Sequence, residues 1–247
     1  MVEQYGAVRE RIRVVPNGVQ VTEFFPPQIR AARHLRHALG IEDDEYLILH
    51  AGRVDERKGQ RELIDAAPRM FELARNNRKR LRLVFLGWTR NFWAQSLEKR
   101  IKHSGLEREV LLLPPVPHRD IAQYYWASNV VTIAGPYDVM PLAMLEAMAA
   151  GRPVVATSNG GPVEIIDSNI DGLLVDTTNI EQLSGAVMRV CCDASFAKQI
   201  GAAAHKKITL QFSWEAATER LYDIYMELCG GNTGLDKIRV KSTYSCG

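Results

Sequence analysis

The sequence has no apolar run long enough to cross a bilayer and almost no net charge. A membrane-spanning helix needs roughly 20 consecutive apolar residues, and no stretch of that kind occurs. The formal net charge of the 247 residues is +2, so we expect no general nucleic-acid binding. Residues 1–13 carry charges where a signal peptide would have its apolar segment. We therefore expect a cytoplasmic protein that reaches a membrane, if at all, peripherally through a partner.

Cysteine is scarce, and its spacing fits neither a disulfide framework nor a metal site. The four cysteines lack the paired spacing of a zinc site, and two are adjacent on a predicted helix, which favours reduced thiols. They are Cys191, Cys192, Cys229 and Cys246. The carboxylates of residues 42–45 precede a predicted strand and are interpreted as a solvated run. The sequence therefore predicts neither a bound metal nor a cofactor.

The usual phosphate-binding fingerprints are also absent. No Gly-x-Gly-x-x-Gly follows a predicted strand, and no Gly-x-x-x-x-Gly-Lys-Ser/Thr occurs. These absences argue against a dehydrogenase and against a P-loop NTPase. With 46% hydrophobic and 24% charged residues, the composition is that of an ordinary globular α/β protein. A phosphate site in this chain would have to be built from separate loops.

Residues 129–166 carry the clearest structural signal. The β-branched strands Val130–Ile133 and Val154–Thr157 each lead through a glycine-containing loop to a helix start. The first helix runs from Leu142 to about Ala150, and the second begins at Val163. Two consecutive strand-loop-helix crossings imply parallel strands, and such sheets bind ligands outside the carboxyl ends of their strands. We therefore predict a site at that edge.

The remaining pattern divides the chain into three parts. A lead-in of residues 1–27 contains a predicted strand at Arg11–Val15, because its side chains alternate before a Pro-Asn-Gly turn. Residues 28–229 form the predicted α/β domain, which ends in an amphipathic helix at Trp214–Leu228. Residues 230–247 are predicted to be a flexible tail.

Two cations follow a second predicted strand, Tyr46–His50. Arg53 and Lys58 bracket its loop, where an Arg fork and a Lys point charge could grip a diphosphate. The alternative is a pair of solvated loop cations. The helix start at Leu142 and Ala143 and the glycine pair Gly160–Gly161 lie at the same predicted edge. Free backbone amides at these places would bind phosphate oxygens without a metal.

Two carboxylates complete the candidate site. Glu146 lies one turn inside the predicted helix, where it could accept hydrogen bonds from sugar hydroxyl groups. Asp138 lies in the loop before that helix. Alternatively, Glu146 could interact only with the helix dipole, and Asp138 could hold its loop in an Asx-turn.

Taken in order, several motifs resemble one family. They are PNGV at 16–19, GRVDERKG at 52–59, DVMPLAMLEAMAAGRPVVAT at 138–157, then NGGPVEII and DGLLV. Their order and spacing, over about residues 11–228, resemble the donor-binding, carboxyl-terminal half of a retaining glycosyltransferase of the two-domain B-type architecture, in glycosyltransferase group 4. The resemblance implies a doubly wound, Rossmann-like parallel sheet. It also implies a nucleoside diphosphate sugar as donor and metal-independent hexosyl transfer with retention.

The resemblance assigns roles to particular residues. It implies that Arg53 and Lys58 bind the diphosphate, that Glu146 binds the ribose, and that the backbone near Val116 contacts the base. Asp138 would lie near the departing sugar, where the family usually has glutamate. The family also commonly shows Phe-Gly where this chain has Met140-Pro141, and proline removes one backbone amide from the helix start.

The same resemblance covers only one of the family's two domains. We therefore expect activity to require an acceptor domain, supplied by a partner subunit or by a longer chain. The alternative is a non-catalytic module that binds a nucleotide sugar or only a partner.

Overall fold

The computed structural model describes Gly6, Val8 and residues 12–229, and its centre is a six-stranded parallel sheet of order β3-β2-β1-β4-β5-β6. The strands are β1 Glu45–Ala51, β2 Arg80–Leu86, β3 Val110–Leu113, β4 Val130–Ile133, β5 Val154–Thr157 and β6 Leu173–Val175. The strand order reverses between β1 and β4, and a crevice opens at the carboxyl ends of strands at such a point.

Ten helices accompany these strands within the described residues. They are α1 Val21–Phe24, α2 Ile29–Ala38, α3 Gln60–Asn76, α4 Phe92–His103, α5 His118–Ala127, α6 Leu142–Ala149, α7 Pro162–Ile165, α8 Ile180–Cys192, α9 Ala194–Gln211 and α10 Trp214–Leu228. None of the helices in this part of the chain is long and apolar enough to span a membrane.

The sheet is covered on both faces. Its strands are nearly continuous apolar runs, as expected where helices pack on each side. Successive residues of β1 alternate between two cores: Ile48 packs with residues of α3, α4 and α8, whereas Leu47 and Leu49 pack with α2, α5, α6 and α9. This doubly wound arrangement confirms the predicted fold class.

The predicted strand at Arg11–Val15 is wrong for its described residues, because residues 12–18 contain no strand. A strand needs a neighbour, and the first backbone bridge of the lead-in comes later, between Val19 and Ser213. Val19 and Phe24, which the sequence assigns to the lead-in, are buried in the second core. Arg11 and the predicted flexible tail lie outside the described residues.

Two loops at the carboxyl edge pack backbone against backbone. Gly59 precedes α3 with φ of +83°, and a methyl group there would overlap the backbone of Ala134 and Gly135 after β4. A methyl group on Gly135 would likewise overlap the carbonyl oxygen of Arg57. The loop after β1 is therefore held directly against the loop after β4.

We predict that Gly59→Ala destabilises the domain more than Gly40→Ala. Gly40 also has positive φ, +66°, but faces open space, so its substitution carries only the backbone strain of about 1 kcal/mol. Gly59→Ala adds overpacking of about 1 to 3 kcal/mol. Urea unfolding of both variants measures the difference in the free energy of unfolding. Equal losses would show that the loops separate without cost.

Candidate functional site

The cleft at the carboxyl ends of β1 and β4 contains most of the predicted site. A cavity of about 450 Å³ is bordered by Arg53, Lys58, Asp138, Leu142 and Ala143. An adjoining cavity of about 240 Å³ shares three of these residues and adds those lying deeper toward α5. The shared residues are Arg53, Leu142 and Ala143, and the added ones include Val116, Tyr125 and Glu146. The loops after β1, β3 and β4 and the start of α6 thus meet around two adjoining cavities.

Lys58 and Asp138 form an ion pair across this cleft. The Lys58 Nζ donates to Asp138 Oδ2 at 2.6 Å. Asp138 is the more buried partner, since its side chain is 16% exposed and that of Lys58 is 36% exposed. Lys58, which is predicted to bind the diphosphate, is thus already paired with Asp138, which is predicted to lie near the sugar. The carboxylate partly neutralises the charge of the ammonium.

Arg53 is the cation that remains available at the cleft. Its carbonyl accepts a hydrogen bond from Gln60 Nε2 at 2.7 Å, which fixes the backbone. Within residues 12–229 no hydrogen bond or ion pair of its guanidinium is found. The nearby carboxylate of Asp55 is occupied instead by Arg57, whose hydrogen bonds lower the pKa of Asp55 to about 2. Arg53 can therefore turn its fork toward a ligand.

The start of α6 presents backbone amides to both cavities. The first bond inside the helix is donated by the Met144 amide to the Pro141 carbonyl at 3.0 Å. The amides of Leu142 and Ala143 precede it, in the turn where an α-helix has no internal acceptor. Pro141 itself has no amide to offer. The positive end of the helix therefore adds to the field of Arg53 and Lys58.

In the glycine pair Gly160–Gly161, the Gly161 amide already has an acceptor within the protein. The Gly161 amide donates to the Asp138 carbonyl at 2.8 Å, so the expectation that it is free is wrong. A methyl group on Gly161 would overlap the Val139 carbonyl. Small residues are required here because the loop after β5 supports the loop that carries Asp138. The two glycines therefore pack against the backbone of the loop that carries Asp138. A contact of either glycine with a ligand stays a prediction.

Glu146 lies where the core meets the smaller cavity, and only 8% of the residue is exposed. The Tyr125 hydroxyl donates to its Oε2 at 2.6 Å. Its Oε1 lies 3.4 Å from His118 Nε2. Tyr125 is completely buried, and burial, together with the Glu146 charge, raises its pKa well above 10. Tyr125 is therefore a permanent donor to this carboxylate.

Sequence reasoning missed both partners of Glu146. Tyr125 and Glu146 are 21 residues apart on different helices, and no local pattern links them. One signal was available: Tyr125 falls on the apolar face of α5, and a buried tyrosine hydroxyl usually has a hydrogen-bond partner.

His50 is a third residue that sequence reasoning missed. It lies near the carboxyl end of β1, where it borders the larger of the two cleft cavities, and its Nδ1 lies 3.0 Å from the Thr132 carbonyl of β4. Burial lowers its pKa to about 4, so the ring is neutral near pH 7. With Nδ1 as the donor, the imidazole links the two strands at the point where the sheet order reverses.

A larger cavity lies at the opposite edge of the sheet. It measures about 890 Å³ and is bordered by the amino ends of β1, β2 and β5. Two of the charged residues at its border, Arg80 and Asp44, form an ion pair with each other. None of the predicted site residues borders it. Among residues 12–229 we also find no group of three His, Cys, Asp or Glu side chains arranged to hold a metal.

Comparison with known proteins identifies the family. The family described as "Glycosyl transferases group 1" matches residues 32–207. The chain belongs to this family. The D-inositol 3-phosphate glycosyltransferase of Xylanimonas cellulosilytica is 32% identical over 232 residues, which are 92% of this chain and 54% of that protein. The chain thus spans about half the length of the curated relatives it matches.

Solved structures agree with this assignment. Sucrose-phosphate synthase from Thermosynechococcus elongatus has a TM-score of 0.80 at 25% identity, over 94% of this chain and 56% of that one. Anabaena HepE in complex with UDP and glucose has a TM-score of 0.79 at 23% identity, over 92% of this chain and 59% of that one. The group 1 domain is therefore a Rossmann-like half of the B-type architecture, as predicted.

We predict that His50 makes the group 1 domain less stable in acid. Its folded pKa of about 4 lies below the unfolded value of about 6.5, so only the unfolded chain takes up this proton between those values. The contribution of the neutral His50 to the free energy of unfolding is fully present above about pH 6.5. It is lost as the pH drops toward 4, which lowers the free energy of unfolding by on the order of 3 kcal/mol.

The measurement is urea unfolding from pH 7 to pH 4.5. His50→Phe should reduce the slope of stability against pH, whereas His103→Phe, at an exposed position, should leave it unchanged. An unaltered slope in His50→Phe would show that other groups carry the acid sensitivity.

Proposed function

We propose that this chain is the donor-binding domain of a glycosyltransferase and binds a nucleoside diphosphate sugar in the cleft between β1 and β4. One observation carries the proposal: Arg53, Lys58 and the start of α6 surround a single cavity of about 450 Å³. These groups come from two separate crossings of the sheet. Two cations and the positive end of a helix favour an anionic ligand.

In the proposed complex the diphosphate lies between Arg53 and the amides of Leu142 and Ala143. Arg53 can bind two phosphate oxygens with its fork, while Lys58 contributes a point charge. Because these groups are already placed, they would stabilise the charge that develops on the leaving diphosphate. We propose that transfer needs no divalent metal, since protein cations supply the positive charge.

The nucleoside would extend into the smaller cavity. Glu146 has a carboxylate oxygen near that space and can accept hydrogen bonds from ribose hydroxyl groups. The backbone at Val116 borders the same cavity and is proposed to contact the base. Asp138, at the other end of the cleft, is proposed to lie beside the hexose. HepE was crystallised with UDP-glucose, so UDP-sugars are the first donors to test.

We further propose that the transfer proceeds with retention and that an acceptor domain completes the cleft. The chain spans 54% of the Xylanimonas relative. Apolar side chains are exposed beside the cleft at Tyr137 and Val139, and along α10 at Tyr225 and Leu228. We propose that these side chains contact the acceptor domain. The acceptor domain could belong to a longer chain or to a partner subunit.

We predict that the domain binds a nucleoside diphosphate sugar equally well with and without EDTA. Calorimetry with UDP-, GDP- and ADP-sugars tests this. Arg53→Ala should weaken binding by about 1.5 to 3 kcal/mol, because a charge-assisted hydrogen bond is lost. Arg57→Ala is the matched control, since Arg57 pairs with Asp55 instead of bordering the cavity.

Two results would contradict this proposal. Loss of affinity on chelation would show that a metal supplies the positive charge. Equal affinity of the Arg53 and Arg57 variants would place the diphosphate elsewhere. A transfer assay distinguishes a glycosyltransferase from the alternative, a non-catalytic module that binds a nucleotide sugar.

We predict that the chain alone transfers sugar poorly. Bringing donor and acceptor into register can lower a barrier by on the order of 7 to 11 kcal/mol, and half a cleft lacks that contribution. A radiolabelled-donor assay should show slow donor hydrolysis alone, and transfer with retained anomeric configuration once an acceptor domain is supplied. Rapid transfer by the chain alone would overturn this prediction, and no transfer with any acceptor domain would favour a non-catalytic module.

A further inference from the structure

Tyr125 is a buried side chain whose polar end points at the candidate site. It has no exposed surface, and its hydroxyl donates to Glu146 Oε2 at 2.6 Å. The Phe24 ring packs edge-on against it at 5.8 Å between centroids. The Trp126 indole on the same helix donates to the Phe24 carbonyl at 2.6 Å. The Tyr125 hydroxyl therefore has little freedom to move.

The two oxygens of Glu146 consequently differ. Oε2 is bound from the core side by Tyr125, whereas Oε1 lies 3.4 Å from His118 Nε2, an exposed side chain. Both Tyr125 and Glu146 border the smaller cavity. A carboxylate held by one oxygen cannot rotate freely, so the direction of its remaining lone pairs is set by the tyrosine.

We propose that Tyr125 is a positioning residue that orients Glu146 to accept both hydroxyl groups of a ribose, and so selects ribonucleoside over dideoxyribonucleoside diphosphates. The proposal rests on the proposed function. A vicinal diol presents two donors at a fixed spacing, so the carboxylate must be turned correctly to accept both. A purely structural tyrosine would only satisfy a buried charge and would not affect the preference for ribose.

The test compares ligands that differ only in the two hydroxyl groups. Calorimetry measures the affinity of the wild-type domain for UDP, GDP and ADP and for their 2′,3′-dideoxy analogues. We expect the tightest ribonucleotide to bind on the order of tenfold or more better than its analogue. Tyr125→Phe should reduce this ratio severalfold while leaving the affinity for the analogue nearly unchanged.

Tyr124→Phe is the matched control. It removes a tyrosine hydroxyl from the same helix at the adjacent position, which is only half-buried and whose hydroxyl makes no bond to Glu146. The ratio of its affinity for the ribonucleotide to its affinity for the dideoxy analogue should equal that of the wild type. If Tyr125→Phe fails to fold, Glu146→Gln and the double variant Tyr125→Phe/Glu146→Gln replace it, because a neutral amide removes the buried charge. The ratio of ribonucleotide to dideoxynucleotide affinity should then be lower in the double variant than in Glu146→Gln.

The outcomes separate the two proposals. An unchanged ribose preference in Tyr125→Phe, or equal losses for both nucleotides, would overturn the positioning role and leave donor binding intact. A wild-type domain that binds ribonucleotides without preferring them to their analogues would also overturn it. A domain that binds no nucleoside diphosphate would overturn the proposed function, and this inference with it.

Discussion

The cleft depends on the backbone contact between Gly59 and the segment Ala134–Gly135. β1 and β4 are adjacent because the strand order reverses there, but adjacent strands alone do not bring their loops together. Without side chains at the contact, the loops approach closely enough for Lys58 to reach Asp138 at 2.6 Å. A cation from one crossing and a carboxylate from the next thus meet in one site. The two loops have no regular secondary structure to hold them otherwise.

Much of this arrangement was predictable because parallel strands leave strong local signals. Val130–Ile133 and Val154–Thr157 occur with the predicted bounds, since a strand buried on both faces is a short β-branched run between turn residues. Arg53 and Lys58 border the cleft for a related reason, since both follow the carboxyl end of a strand. Their role in binding stays a prediction. The predicted strand near Val15 failed because alternation in sequence cannot supply a neighbouring strand.

The contacts that sequence reasoning missed all join distant segments through packing. Tyr125 meets Glu146 because α5 and α6 lie side by side in the second core, a relation that spacing along the chain does not contain. The Gly161 amide was predicted to be free for a related reason. Glycine is favoured both where a ligand approaches the backbone and where another loop does, and only the structure shows that the Asp138 loop approaches Gly161.

The Lys58–Asp138 ion pair also limits how a donor can be held. An ammonium has three donors, and the only one assigned by the described contacts goes to Asp138 Oδ2. In the proposed complex Lys58 can therefore bind a phosphate oxygen while it keeps the carboxylate. Two hydrogen bonds on one nitrogen place the phosphate and the carboxylate within roughly 5 Å of each other. Because both are anions, this proximity is favourable only while Lys58 lies between them and Arg53 compensates the added charge. Asp138 would then face the carbon that the diphosphate leaves, so the side chain that pairs with Lys58 would also stabilise positive charge on the sugar.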